Sequence, residues 1–217
     1  MTLLRIDSSI LGPNSASRAL ADVVQKHWTE QHGDSAVVTR DLAANPVPAS
    51  YWPAAVSAGH TPQEQWSDEQ KAATALAAEL FDELKSAETV IIATGLYNWG
   101  VNQFLKSWLD LIFTAAPLGE AVLKDKDIAL VVTRGGYYGD DGPKAGWDHG
   151  TPWLLRVLSE TWGANVSLIE RDFTLVGVNP ALDEFKVQGA KLREAAAEKS
   201  QQVGKELAAA YASRRTS

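Results

Sequence analysis

Residues 89–95 read Thr-Val-Ile-Ile-Ala-Thr-Gly. The run Thr89–Thr94 is the clearest buried strand in the chain: short, apolar and rich in β-branched side chains. Gly95 ends it. A loop over Leu96–Val101 leads into Phe104, Leu105, Trp108, Leu109, Leu111 and Ile112 at helical spacing, broken by Pro117-Leu118-Gly119. Before the strand, Ala72, Leu76, Leu80, Phe81 and Leu84 supply the apolar face of another helix, expected to open at Pro62 with Thr61 as N-cap.

The alternation continues toward both ends. Thr2–Ile6 and Ala36–Thr39 read as strands, separated by a helix that Ser15 caps and that carries Ala19, Leu20, Val23, Val24 and Trp28 before His32-Gly33-Asp34 closes it. Asn45–Thr61, with Pro46, Pro48, Pro53 and Gly59, reads as an irregular surface excursion. Downstream, Asp127–Thr133 and Val166–Phe173 are strands. Thr151-Pro152 opens the helix between them, which runs through Leu154, Leu155, Val157 and Leu158 to Trp162-Gly163. The polar stretch Tyr137–Gly150 is too punctuated to be core. Asn179-Pro180 starts a long alanine-rich terminal helix, expected to fray over Arg214–Ser217. Strands alternating with helices imply an α/β domain with a mostly parallel sheet, and right-handed crossovers place helices on both faces. Nothing in the chain reads as a repeat or a linker, so one doubly wound domain over residues 1–217 is expected.

Composition narrows the functional classes. The chain has 217 residues, 45% hydrophobic and 22% charged, near the averages of a soluble globular protein. It has no cysteine, which excludes a disulfide scaffold, thiolate zinc, iron–sulfur clusters and a cysteine nucleophile. No apolar run reaches the ~20 residues of a membrane span, and Met1-Thr2-Leu3-Leu4-Arg5 lacks the layout of a secretory signal. A cytoplasmic protein is expected. The net charge of −7, without a basic cluster, argues against nucleic acid as a partner. His27, His32, His60 and His149 are scattered. Trp147-Asp148-His149 offers a metal ligand or an acid/base but lacks a ligand spacing, and no metal site is expected. No G-x-S-x-G elbow is present.

Open α/β sheets bind ligands beyond the carboxyl ends of their strands, and three such loops carry unusual residues. Ser8–Ser17 holds Ser8, Ser9, Asn14, Ser15 and Ser17 just before a helix, a set suited to an anion or simply to N-capping by Ser15. It is neither a dinucleotide turn nor a P-loop, so a phosphate monoester fits it better than a triphosphate. Gly95-Leu96-Tyr97-Asn98-Trp99-Gly100-Val101-Asn102 sets two aromatics around an asparagine, which suits a planar heteroaromatic ring or a turn packed on the sheet. Thr133-Arg134-Gly135-Gly136 exposes backbone donors beside a fixed charge, or is a plain turn.

The ordered set of these segments resembles the FMN-dependent NADH-azoreductases, relatives of the flavodoxin-like quinone reductases, over nearly the whole chain. The anchors are Ser8-Ser9-Ile10-Leu11 with Ser15-Ala16-Ser17, then Asp41-Leu42-Ala43-Ala44-Asn45-Pro46, Leu96-Tyr97-Asn98-Trp99 with Gln103-Phe104-Leu105-Lys106, and Thr133-Arg134-Gly135-Gly136. The resemblance implies a flavodoxin-like, five-stranded parallel sheet of order 2-1-3-4-5. It implies non-covalent FMN, NADH or NADPH as co-substrate, and ping-pong two-electron reduction of quinones or azo compounds in a homodimer. It assigns Ser9, Ser15, Ala16 and Ser17 to the FMN phosphate. Leu96, Tyr97, Asn98 and Trp99 would wrap the isoalloxazine, with Asn98 near N5, and Thr133, Arg134, Gly135 and Gly136 would face its pyrimidine side. The flavin itself carries the hydride, so no catalytic side chain is assigned.

The chain departs from the family pattern in places that bear on substrate range. Gly95 and Leu96 stand where proline and methionine are usual, and Trp99 replaces phenylalanine. The region around Ala115–Gly119 is shorter, and Tyr137-Tyr138 follows the double glycine. Tyr51 and Trp52 of the proline-rich excursion are candidates for a pocket wall. An electron carrier without nicotinamide turnover, or an α/β domain with empty loops, are the alternatives at this stage. The long Asn45–Thr61 excursion, which a small carrier does not need, speaks against the first.

Overall fold

The computed structural model describes residues 3–34 and 37–216. Thr2, Ala36 and Ser217, named above at element ends, lie outside the described residues. The elements run β1 (Leu3–Asp7), α1 (Ala16–His32), β2 (Val37–Asp41), α2 (Tyr51–Ala58), α3 (Asp68–Ser86), β3 (Thr89–Tyr97), β4 (Gly100–Val101), α4 (Gln103–Ala115), β5 (Asp127–Thr133), α5 (Thr151–Leu155), β6 (Asn165–Arg171) and α6 (Lys186–Thr216). Five strands are parallel in the order β2-β1-β3-β5-β6, while β4 pairs antiparallel with the end of β3. Counting the long strands alone, this is the expected 2-1-3-4-5 arrangement.

β3 lies at the centre, and every residue from Thr89 to Gly95 is buried. Its side chains alternate between two cores, as the period of two requires. Val90 and Ile92 join Leu4, Ile6, Ile128, Leu130 and Val132 under α2 to α5. Ile91 and Ala93 join Leu3, Ala129, Val131 and Ile169 under α1 and α6. Helices therefore cover both faces. Trp28, Trp108 and Trp162 are fully buried core residues, whereas Trp52, Trp99 and Trp147 are about half exposed.

Several boundaries differ from the sequence reading. The excursion Asn45–Thr61 contains α2, because Pro53 falls in its first turn, where a missing N–H costs no hydrogen bond. Tyr51 packs on the core and Trp52 points outward. Helix α3 does not open at Pro62: Gln63–Gln65 is a 3-10 turn, and the helix starts at Asp68, where Ser67 and Gln70 form a reciprocal capping box. Its buried face is Ala73, Ala77, Leu80 and Leu84, with Ala72 exposed. Strand β3 continues two residues past Gly95 into a hairpin. The segment after α5 is a π-helical turn over Arg156–Thr161. A 3-10 turn over Pro180–Phe185 precedes α6, and α6 stays helical through Thr216.

One contact sets the spacing of α1 and α6. A Cβ on Gly204 would lie 2.7 Å from the Val24 carbonyl oxygen and 3.0 Å from the His27 Cβ. Gly204→Ala is therefore expected to destabilise the protein by about 1–3 kcal/mol, despite the better helix propensity of alanine. A lower urea midpoint with an unchanged m-value checks this, and an unchanged midpoint refutes the close approach.

Candidate functional site

The first loop leaves β1 with Ser8 and Ser9 buried. Ser8 N–H donates to the Ala93 carbonyl at 3.0 Å, which prolongs the pairing with β3. The Ser9 hydroxyl lies 3.2 Å from the Tyr97 hydroxyl. Ser15 caps α1 by accepting from the Arg18 N–H at 3.2 Å, and its Oγ lies 3.0 Å from Ser17 Oγ. Ala16 and Ser17 begin the helix, so their N–H groups have no carbonyl one turn back. Arg18 joins the two halves of the loop by donating from Nη2 to the Ser9 carbonyl at 3.2 Å. The same guanidinium forks onto Asp41 at 2.6 and 2.7 Å and lies 3.8 Å from Asp7. Its Nε is buried without a hydrogen-bond partner among the described residues.

A hairpin forms the second loop. Leu96 pairs with Val101 and Tyr97 with Gly100, leaving Asn98 and Trp99 as a two-residue turn with φ of 48° and 64°. Two consecutive positive φ values match the twist of a tight hairpin. Asparagine tolerates that conformation, but tryptophan rarely adopts it. Gly95 leaves room for the Tyr97 ring, since a Cβ there would sit 2.9 Å from a ring carbon. Leu96 packs over Gly150, where a Cβ would lie 2.8 Å from Leu96 Cδ1. Between the hairpin and the first loop lies a cleft of about 520 Å³ lined by Ile10, Tyr97, Asn98, Gln103, Phe104 and Lys106, among others.

Asn102, the last residue before α4, ties these loops together. Its amide nitrogen, with two hydrogens, faces Ser8 O at 3.0 Å, Ser8 Oγ at 2.8 Å and Thr94 Oγ1 at 3.1 Å. Its oxygen caps α4 by accepting from Leu105 N at 2.9 Å. The sequence reading placed Asn102 in the loop without a role. An asparagine immediately before a helical pattern signals a cap, but the bonds to Ser8 cross 94 residues.

In the third loop, Thr133 is buried and Arg134 meets three carboxylates: Asp148 at 2.9 Å, Glu170 at 2.8 Å and Asp172 at 2.5 Å. Burial opposes the charge on Arg134, and the attraction of Asp172 and Glu170 outweighs it, so its pKa lies above the ordinary value. The guanidinium is thus turned to protein groups. The Gly135 and Gly136 carbonyls accept from Leu175 N at 3.3 Å and Phe173 N at 3.0 Å. A Cβ on Gly135 would meet Leu175 at 2.8 Å, whereas one on Gly136 would meet the ammonium end of Lys144 at 3.1 Å.

Asp148 also accepts from Gly150 N at 3.0 Å, Thr151 N at 2.8 Å and Thr151 Oγ1 at 2.6 Å. The His149 N–H donates to the Trp99 carbonyl at 2.9 Å. Trp147-Asp148-His149 therefore connects the second and third loops. Among the described residues no group of three His, Asp or Glu is placed to hold a metal ion. The three loops meet beyond the carboxyl ends of β1, β3 and β5. The switch of strand order falls between β1 and β3.

The profile of a family described by its flavodoxin-like fold matches residues 1–205. The chain is 37% identical over 188 residues to a protein of Frankia alni named FMN-dependent NADH:quinone oxidoreductase, with 84% of this chain and 89% of that one covered. The chain belongs to this family. A relative of the same name from Streptomyces avermitilis is 34% identical over 216 residues, spanning 96% of this chain and 99% of its own length. An FMN-dependent NADH-azoreductase from Bacillus anthracis, solved in complex with FMN, shares the fold. Its TM-score is 0.73 at 17% identity, over 95% of this chain and 99% of that structure.

In this family member the charges around the first loop make a pH prediction. The hydrogen bonds from Arg18 hold the Asp41 carboxyl below the usual carboxylate range, helped by the Ala44 and Ala43 N–H groups. Burial pushes Asp7 the other way, against the pull of Arg5 and Arg18. A lowered folded pKa contributes stability above the unfolded value, and that stability is lost as pH falls through the folded value. Removing Arg18 also raises Asp7 further, which costs stability on the same alkaline side. Arg18→Gln should therefore destabilise most at pH 7, with the gap to wild type narrowing as pH falls, first through the raised Asp7 value and then through the lowered Asp41 value. Urea midpoints at several pH values test this, and a gap independent of pH contradicts it.

Proposed function

We propose that the three loops form one FMN site, in one domain spanning residues 1–217, through which electrons pass from NADH or NADPH to quinones and azo compounds. The observation that carries this reading is the convergence of the loops. Asn102 and the Ser9–Tyr97 contact join the first to the second, and the 147–149 segment joins the second to the third.

The donor set fits the cofactor. Ser9, Ser15 and Ser17 present hydroxyls, and Ala16 and Ser17 present N–H groups at the positive end of α1, as a phosphate monoester requires. Arg18, forked onto Asp41, braces the loop from behind by donating to the Ser9 carbonyl. This local arrangement attracts an anion to a protein of net charge −7. Leu96, Tyr97, Asn98 and Trp99 flank a flat ring, with the Asn98 amide able to donate and accept at its reactive edge. The Thr133–Gly136 backbone offers preorganised dipoles for developing negative charge. Arg134, held by three carboxylates, fixes the shape of that loop. When bound, FMN supplies the two-electron hydride chemistry of the reaction. No side chain need act as general acid, because solvent can protonate the product. We place the protein in the cytoplasm as a homodimer. The apolar surface that Trp52 and Val56 expose one turn apart on α2 supports the assembly.

The purified protein should show flavin absorption near ~450 nm that bleaches in one step on anaerobic addition of NADH. A colourless protein that takes up no added FMN overturns the reading. The double substitution Ser15→Ala, Ser17→Ala should weaken FMN by about tenfold or more, since hydrogen bonds to a charged group contribute roughly 1.5–3 kcal/mol. Riboflavin, which lacks the phosphate, should be affected much less. Equal weakening of both, by fluorescence titration, excludes the phosphate seat. The atoms nearest an added Cβ at Gly136 all belong to the flexible Lys144 side chain, so in Gly136→Val the fold should hold while flavin content falls. Wild-type flavin content in that variant places Gly136 away from the ring.

A further inference from the structure

Segment 144–150 bears a residue that the flavin reading does not use. Trp147 is 49% exposed and Trp99 is 45% exposed. Their rings meet edge to face, with centroids 5.7 Å apart and planes at 70°. Trp28, Trp108 and Trp162 are fully buried while Trp52 is also half exposed, so what sets Trp99 and Trp147 apart is that two exposed indoles touch each other. Trp99 adds backbone strain, because it holds φ of 64° in a turn where glycine is the usual occupant.

The pair is fixed from both sides. Trp147 N–H donates to the Lys144 carbonyl at 3.1 Å, and Gly146 at φ of 74° sets the direction of the chain before it. After it, Asp148 is locked by Arg134 and Thr151, and His149 N–H holds the Trp99 carbonyl. Two indoles in edge-to-face contact at 70°, on rigid supports, make an aromatic corner. Such a corner offers one ring face and one ring edge to a flat molecule, an arrangement that rewards extended aromatic surface.

We propose that Trp147 is a specificity-determining residue, forming with Trp99 an aromatic corner that selects fused-ring electron acceptors over single-ring ones. A one-ring quinone reaches one arm of the corner, whereas a two- or three-ring quinone reaches both. This inference rests on the reading that the Asn98–Trp99 hairpin borders the flavin.

The test uses the FMN-loaded protein and the variants Trp147→Phe and Trp147→Ala. With NADH as donor, the ratio of kcat/KM for 1,4-naphthoquinone to that for 1,4-benzoquinone should fall about tenfold in Trp147→Ala, the size of one lost aromatic contact. It should stay within about threefold of wild type in Trp147→Phe, which keeps a ring. The chain has no cysteine for benzoquinone to modify. Binding is read separately, without reductant, by titrating anthraquinone-2-sulfonate into the oxidised protein and following the flavin spectrum. Its Kd should rise about tenfold in Trp147→Ala while flavin content matches wild type. Equal losses for both quinones, or lost flavin, would make Trp147 only a support of the hairpin and overturn the proposal. An unchanged ratio and Kd would overturn it too. A wild-type protein that binds no FMN removes the underlying reading, an outcome visible before any variant is made.

Discussion

One buried amide organises the carboxyl edge of the sheet. Asn102 has two hydrogens and one oxygen to offer, and all of them are engaged, by Ser8 just past β1, Thr94 of β3 and Leu105 of α4. Each partner is itself buried, so none can turn to water if the amide is lost. The consequence is geometric. The serine loop, the start of the hairpin and the first turn of α4 share one anchor and hold one spacing. Tyr97, whose hydroxyl reaches Ser9, repeats the link from the hairpin side.

Around this anchor the charged residues are arranged in hubs rather than pairs. Arg18 and Arg134 each sit among several carboxylates, and Arg5 is buried on the α1 side of the sheet against Asp7, Asp22 and Gln25. A buried guanidinium would be costly alone, and its planar fork suits several acidic partners at once. In an acidic chain these hubs do two things. They neutralise carboxylates that would otherwise crowd the loops, and they fix loop backbones without spending the serine hydroxyls. In the proposed function the anion would then meet paired rather than free carboxylates at the first loop, in a chain of net charge −7.

Much of this was legible in the residues. Short apolar runs marked β1, β3 and β5, β-branched most clearly in β3, and the polar loops behind them were visible because serine, glycine and aromatic residues gathered where strands ended. Other features were hidden for specific reasons. The hairpin is hidden in the sequence because its strand β4 is two residues long and its turn is Asn98-Trp99, without the glycine that signals such turns. Prolines disguised α2, since they mark irregular chain more often than a first helical turn. The capping pair Ser67 and Gln70 was readable but overshadowed by Pro62. The partners of Arg134 lie 14 and 38 residues away for Asp148 and Asp172, a separation that no local pattern reveals. Trp147-Asp148-His149 suggests a metal ligand or an acid/base in sequence, whereas in the fold the segment links the loops through the His149 backbone and the Asp148 carboxylate.

Helix α6 has a bearing on biosynthesis. It is 31 residues long, roughly 46 Å at the usual rise, and with α1 it covers the face formed by Leu3, Ile91, Ala129, Val131 and Ile169. At its far end Arg214 reaches Asp127 and the Glu88 carbonyl, at the opposite edge of the sheet from the loops. A ribosome making about 5–20 residues per second finishes the sheet before it delivers this cover. During that interval an apolar sheet face stands half open on the nascent chain. A helix that follows every strand of the sheet in the chain therefore closes the second core.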